Sequence, residues 1–354
     1  MPIEFGIFDH ITRPTEMPLD QLYEGRIALL QKADRAGFSG YHVAEHHGHN
    51  LAMAPNQLVF LAALARETEH LRLGTLVSCL PYHHPLRLVE EICMVDQLSG
   101  GRLDIGVGRG VSIFEHNFFG HDAAEARDRF SESLDMVVQG LETGRIDGRG
   151  RQFYDFPEAD VSLEPFQKPY PPLWYPGNVD FAGRRGLNFV SGKITRELRE
   201  RYDECWEEGR GDPDRLNPHV TEPKVASVQF LSIAETDEEA KQVAERSIGI
   251  LGGFIRKSDG VEPPHLQAEF APGPFAPGKN IDYPGQEGHK LIHGSPETVR
   301  DYYVDYVSEG AVNYIILGLP FGGMTIEEAN RSLDLFISEV MPAIRAEEQA
   351  ALPS

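Results

Sequence analysis

One stretch constrains the fold of this chain more than any other: Arg72 to Gly110, RLGTLVSCLPYHHPLRLVEEICMVDQLSGGRLDIGVGRG. Leu71 to Ser78 is a short apolar run with β-branched Thr75 and Val77, which reads as a buried strand. Pro81 stops it, and Pro85 suits the first position of a helix, where a missing N–H is harmless. Leu88, Ile92 and Val95 recur on one helical face. Gly100 and Gly101 end that helix, and Leu103 to Val107 forms a second buried strand. Strand, helix and strand make a βαβ unit of about 40 residues, and such units build parallel sheets and β/α barrels.

The pattern repeats along the chain. Ile3, Phe5 and Ile7 alternate as a strand. Leu19 to Ala36 follows with apolar residues at helical spacing, and Gly37 caps it. Gly40 to Ala44 is a second strand. The segment from Val111 to His121 reads as a loop, Ala123 to Glu142 as a helix, and 145–170 as a Gly- and Pro-rich excursion with a short hairpin. Strands at 173–175, 187–191, 225–233 and 312–318 alternate with helices at 178–185, 195–208 and 325–345. Thr236 and Glu239 fit a capping box. Ser295 and Pro296 open another helix. About eight strands alternating with helices predict an α/β fold, a (β/α)₈ TIM barrel forming a single domain over residues 1–354. A large insertion lies late in the barrel, at residues 253–294, with six prolines, seven glycines and Phe254, Phe270, Phe275 and Tyr283. A loop that long inside a domain is functional or disordered, and it is read as a lid or substrate-pocket loop.

The helix from Asn56 to Glu69 is apolar on every face over Leu58–Ala65. If one face lies on a barrel, the other needs a partner, and a homodimer through this helix is expected. The formal charge of −22 disfavours nucleic-acid and anionic-membrane partners. No apolar run is long enough to span a bilayer, and the start of the chain lacks the pattern of a signal peptide. Cys79, Cys93 and Cys205 are scattered and odd in number, which suggests a reducing compartment and a cytoplasmic protein.

In a β/α barrel, the side chains at the C-terminal ends of strands line the active site. Glu45, His46 and His47 sit at such an end, and Phe8, His83, His84 and Phe114 at or just beyond others. Phe8, His83 and Phe114 are candidate pocket residues. His42-Val43-Ala44-Glu45-His46 matches H-x-x-E-H, which marks a zinc peptidase when it lies on a helix. Here the run reads as a strand, on which the two histidines stand about 13 Å apart. They cannot share a zinc ion, and no metal site is expected. Gly106-Val107-Gly108-Arg109-Gly110 is glycine-rich but is not the G-x-G-x-x-G dinucleotide fingerprint. Pro176-Gly177-Asn178 follows a strand and opens a helix, where free N–H groups bind phosphate; Arg184 or Arg185 could add charge.

The Arg72–Gly110 run, Ala44-Glu45-His46-His47 upstream and the ending Ser338–Arg345 (SEVMPAIR) resemble bacterial luciferase and its relatives, the luciferase-like flavin-dependent monooxygenases. The resemblance spans most of the chain and is weakest over 253–294. It implies a flavin-dependent monooxygenase that takes reduced FMN from a separate reductase. With O₂ and peroxyflavin chemistry, it would oxygenate a small organic, largely apolar substrate. It places His46 at the position of the catalytic histidine, a role that suits imidazole because it titrates near neutrality. It places Arg109 at a flavin-contacting position, and Gly108 where luciferase itself has a reactive cysteine. Thr75, Leu76 and Ser78 fall in the strand that flanks the flavin ring, which in several relatives carries a cis peptide or bulge. Gly177 and Asn178 fall in the loop that holds the flavin phosphate, matching by position and not by residue type. Glu45 of the same motif is placed with the cofactor-binding residues, orienting a histidine or anchoring the loop. Family members often pair as dimers. Two alternatives within the resemblance are a deazaflavin-dependent hydride-transfer enzyme and a non-catalytic flavin-binding protein.

Overall fold

The computed structural model describes residues 2–13, 17–258 and 291–351. β1 (Glu4–Asp9), α1 (Leu19–Arg35), β2 (Gly40–Val43), α2 (Gln57–Glu67), β3 (Arg72–Cys79), α3 (Pro85–Ser99) and β4 (Leu103–Gly108) form the first half. Then come α4 (Ile113–Phe118), α5 (Ala126–Thr143), a small hairpin of β5 (Arg145–Ile146) and β6 (Ala159–Asp160), β7 (Leu173–Tyr175), α6 (Val179–Arg184), β8 (Asn188–Ser191) and α7 (Arg196–Glu208). The last part holds β9 (Val225–Ile233), α8 (Asp237–Ser258), β10 (Leu291–Gly294), α9 (Pro296–Ser308), β11 (Tyr314–Gly318), α10 (Ile326–Leu335) and α11 (Met341–Ala351).

Eight parallel strands close on themselves in the order β1-β2-β3-β4-β7-β8-β9-β11, with β11 pairing β1 and β8 pairing β9. This is the expected (β/α)₈ barrel. The local signals read from the sequence explain the element ends. α3 starts with Pro85 and stops at Gly100, which takes a left-handed φ of 65° that glycine adopts without strain. Thr325 and Glu328 form a reciprocal capping box on α10.

Several boundaries differ from expectation. Val111–His121 contains a helix, α4, capped by Ser112, whose side chain accepts from the Glu115 N–H. The final helix is broken by a π turn at Phe336–Val340. The expected insertion at 253–294 is partly regular: α8 runs on to Ser258, and Leu291–Gly294 is a strand beside the upper half of β9. The rest of the lid reading, 259–290, lies outside the described residues. α2 is not buried all round: Leu58, Leu61 and Leu64 pack inward, while Val59 is 68% exposed. No helix of the described residues is long and apolar enough to cross a membrane. The three cysteines are buried and unpaired.

Candidate active site

β2 delivers the chain to the C-terminal rim of the barrel, where Glu45, His46 and His47 follow it. Glu45 is buried and its carboxylate is fully engaged. It accepts from His47 Nε2 at 2.9 Å, from His83 Nε2 at 3.0 Å and from the Cys79 N–H at 2.9 Å. Burial alone raises this carboxyl, but the charge on His83 and the three donors hold it below its ordinary range. Burial likewise lowers His83, and Glu45 more than reverses that. Glu45 therefore ties the ends of β2 and β3 together, and His83, 21% exposed, is held in that clamp.

His46 points the other way. Its Nδ1 lies 3.0 Å from Glu115 Oε1, and the ring is 20% exposed. Burial raises the Glu115 carboxyl, but the hydrogen bonds from His46 and the His47 N–H, with His49 Nε2 close by at 3.4 Å, overcome it and hold Glu115 down at about 2. A carboxylate can only accept, so His46 Nδ1 carries the proton. In neutral imidazole, Nε2 is then the acceptor, free to take a proton. Glu115 also accepts from the His47 N–H. Sequence reasoning missed Glu115, although the pattern Ser112-x-x-Glu115 was a helix-start signal that would have placed it on a helix.

Aromatic rings line the rim beside His46. His10 stacks on it at 5.7 Å and on Phe230 at 6.3 Å; Phe8 packs edge-on to His10, and Phe321 lies against Phe230. Of these, only Phe8 and His46 were expected. His10, Phe230 and Phe321 lie in or just past β1, β9 and β11, so their positions were the available signal. Phe114 stands 39% exposed on α4, with Val111, Ile113 and Phe118 also exposed.

β3 is irregular opposite β4. The register skips between Thr75 and Ser78, and the Leu76–Val77 peptide is cis. Thr75 is buried and its hydroxyl both donates to and accepts from the Gly106 backbone. Ser78 donates to Gln57 Oε1, and Gln57 in turn donates to the carbonyl of Val77. The side chains of Thr75 and Ser78 thus brace the skip, and Leu76 is buried beside it. A Cβ on Gly106 would sit 2.3 Å from the Thr75 carbonyl oxygen, and one on Gly108 2.4 Å from Val77 Cγ2. Side chains at either position would push the two strands apart. Arg109, next along β4, is exposed at the rim.

Pro176-Gly177-Asn178 is exposed between β7 and α6. Asn178 caps α6 by accepting from the Phe181 N–H, and a Cβ on Gly177 would strike the Tyr175 ring at 2.5 Å. Arg184 and Arg185 stand at the other end of this helix, about 9 Å along its axis. Arg184 pairs with Glu208 and reaches back to within 3.9 Å of Asp180, and Arg185 faces Asp214.

H-x-x-E-H is not on a helix: His42 and Val43 end β2, and Ala44–His46 follow it. His42 is buried in the barrel, 3.1 Å from the Tyr314 hydroxyl, and burial lowers it to about 4. It shares no partner with His46. A cavity of about 260 Å³ lies between Asp135, Glu142, Tyr170 and Arg185, and none of His42, Glu45, His46 or Glu115 lines it.

A family model described as "Luciferase-like monooxygenase" matches residues 3–313. The oxygenase component of flavin-dependent trigonelline monooxygenase from Acinetobacter baylyi is 29% identical over 362 residues, covering 96% of this chain and 95% of the relative. Among solved structures, the oxygenating constituent of 3,6-diketocamphane monooxygenase from Pseudomonas putida, in complex with FMN, matches with a TM-score of 0.69 at 21% identity, covering 97% of this chain and 98% of that one. Coenzyme F420-dependent tetrahydromethanopterin reductase from Methanopyrus kandleri matches with a TM-score of 0.67 at 20% identity, covering 97% and 100%. At these identities the structural likeness is one of fold.

Proposed function

Because the chain belongs to the luciferase-like monooxygenase family, we propose that it is the oxygenating component of a two-component flavin system. It takes reduced FMN from a separate reductase and uses O₂ to oxygenate a small, largely apolar organic molecule. The observation that carries this reading is the His46–Glu115 pair, which leaves a proton acceptor at the mouth of an aromatic-lined barrel.

The residues present fit a flavin. Gly106 and Gly108, without side chains, let β4 lie close to the register skip of β3, and exposed Arg109 stands beside it. A guanidinium suits phosphate or the polar edge of the ring. The exposed Gly177–Asn178 turn offers backbone N–H groups. When bound, the reduced flavin supplies two electrons and activates O₂. His46 Nε2 accepts or returns the proton that the oxygenation requires, and Glu115 fixes its tautomer. Phe8, His10, Phe230 and Phe321 exclude water and favour a flat or apolar substrate.

The exposed apolar face of α2 and α3, Val59 at 68%, Met94 at 53% and Leu98 at 44% exposure, is assigned to a second copy of the chain. Buried reduced thiols and a reductase partner fit the cytoplasm.

Anaerobic titration of the purified chain with reduced FMN tests the cofactor assignment. One tight site per chain, with a reduced deazaflavin unable to displace FMN, supports it. Preferential binding of the deazaflavin would make hydride transfer the better reading.

A further inference from the structure

The two histidines of the H-x-x-E-H run cannot share a metal ion, but the fold brings the second of them, His46, together with His49 and Glu115. His46 Nδ1, His49 Nε2 and a Glu115 carboxylate oxygen lie within 4.8 Å of one another. His46 Nδ1 is 3.0 Å and His49 Nε2 3.4 Å from the same oxygen. We propose that these three residues form a binding site for a borderline divalent cation of the Zn²⁺ class, and that its occupation reversibly switches off proton transfer at His46.

Two imidazoles and one carboxylate are a known donor set for zinc. Metal bonds of about 2.0–2.1 Å put neighbouring tetrahedral ligands about 3.3 Å apart. The two separations to Glu115 already match, and the two histidine nitrogens, within 4.8 Å of each other, close in on binding. The side chains of His49 and Glu115 are 5% and 2% exposed, so they are held in place before an ion arrives. The His47 N–H on the carboxylate is a ready outer-shell partner.

One feature limits the affinity. His49 Nδ1 accepts the Leu51 N–H at 3.3 Å, and ligation through Nε2 requires a proton on Nδ1. That long hydrogen bond must break, which favours an exchangeable ion over a permanent one. Binding displaces the proton from His46 Nδ1 and leaves it on Nε2, the nitrogen assigned to accept protons. The inhibitory part of the proposal rests on the function proposed above; the binding part does not.

The test is a Zn²⁺ titration of the full-length chain by competition with a chromogenic chelator, in parallel with turnover. One Zn²⁺ per chain is expected. Binding weakens by about tenfold or more in His49→Ala and Glu115→Gln, and is unchanged in the exposed His70→Ala. His49→Gln, with a circular-dichroism check, covers a folding failure of the alanine variant. Added Zn²⁺ stops turnover and a chelator restores it. Absence of saturable binding, or equal affinity in all variants, overturns the site. Binding at the site without inhibition upholds the site, overturns the inhibitory part of the proposal and removes His46 as the proton carrier.

Discussion

His46 Nδ1 sits 3.0 Å from Glu115 Oε1, across 69 residues of sequence. The pair joins the rim of β2 to the short helix α4 and sets which nitrogen of His46 faces the barrel mouth.

Glu115→Gln keeps the shape but removes the carboxylate that fixes the tautomer. Turnover is expected to fall about tenfold to a hundredfold, and His46→Ala to cost about a hundredfold or more. The apparent affinity for reduced FMN changes little in either. Steady-state kinetics separating kcat from KM provide the check; an equal loss through KM alone contradicts the proton-handling role.

The Glu45–His83 clamp predicts a pH signature. Glu45 is held below its ordinary value of 4.5, so its contribution is full above that pH and lost as pH falls through the depressed value. His83 is raised above 6.5, so its contribution is full below that pH and lost as pH rises through the raised value. The clamp therefore stabilises most between pH 4.5 and 6.5. Glu45→Gln is expected to cost about 2 kcal/mol in that window and to flatten both arms in denaturant unfolding measured against pH.

Gly106→Ala drives a Cβ into the Thr75 carbonyl, a backbone group with little freedom to retreat. A loss of about 1–3 kcal/mol is expected, with weaker flavin binding. Gly108→Ala meets only the end of Val77 and is expected to be milder in thermal melting.

Arg109→Gln is expected to weaken reduced FMN by about tenfold, the loss of one charge-assisted contact. Reduced riboflavin, which lacks the phosphate, would lose much less if Arg109 holds phosphate. Parallel anaerobic titrations make that comparison.

Val59→Glu with Met94→Glu places charge on the exposed α2–α3 face. Sedimentation is expected to report a dimer for the parent chain and a monomer for the double variant.

What was legible in the sequence was local. β3, α3 and β4 followed from apolar spacing and from Pro85 and Gly100, because periodicity and caps act within a few residues. Glu45, His46 and His47 were legible as rim residues because they stand at a strand end, and the family resemblance singled out His46. Glu115 was not, because no local pattern links it to a residue across the barrel. The register skip at Thr75–Ser78 leaves no trace in apolar alternation, and so Gln57, which braces it, went unnoticed. His10, Phe230 and Phe321 meet only when β1, β9 and β11 close the barrel.

Rapid mixing of the anaerobic complex of this chain and reduced FMN with O₂, followed by absorbance, is the decisive measurement. The proposed function predicts an extra phase between the reduced and oxidised spectra, longer-lived than any seen with free flavin and shortened in His46→Ala. Reoxidation with the same time course as free reduced FMN would contradict it.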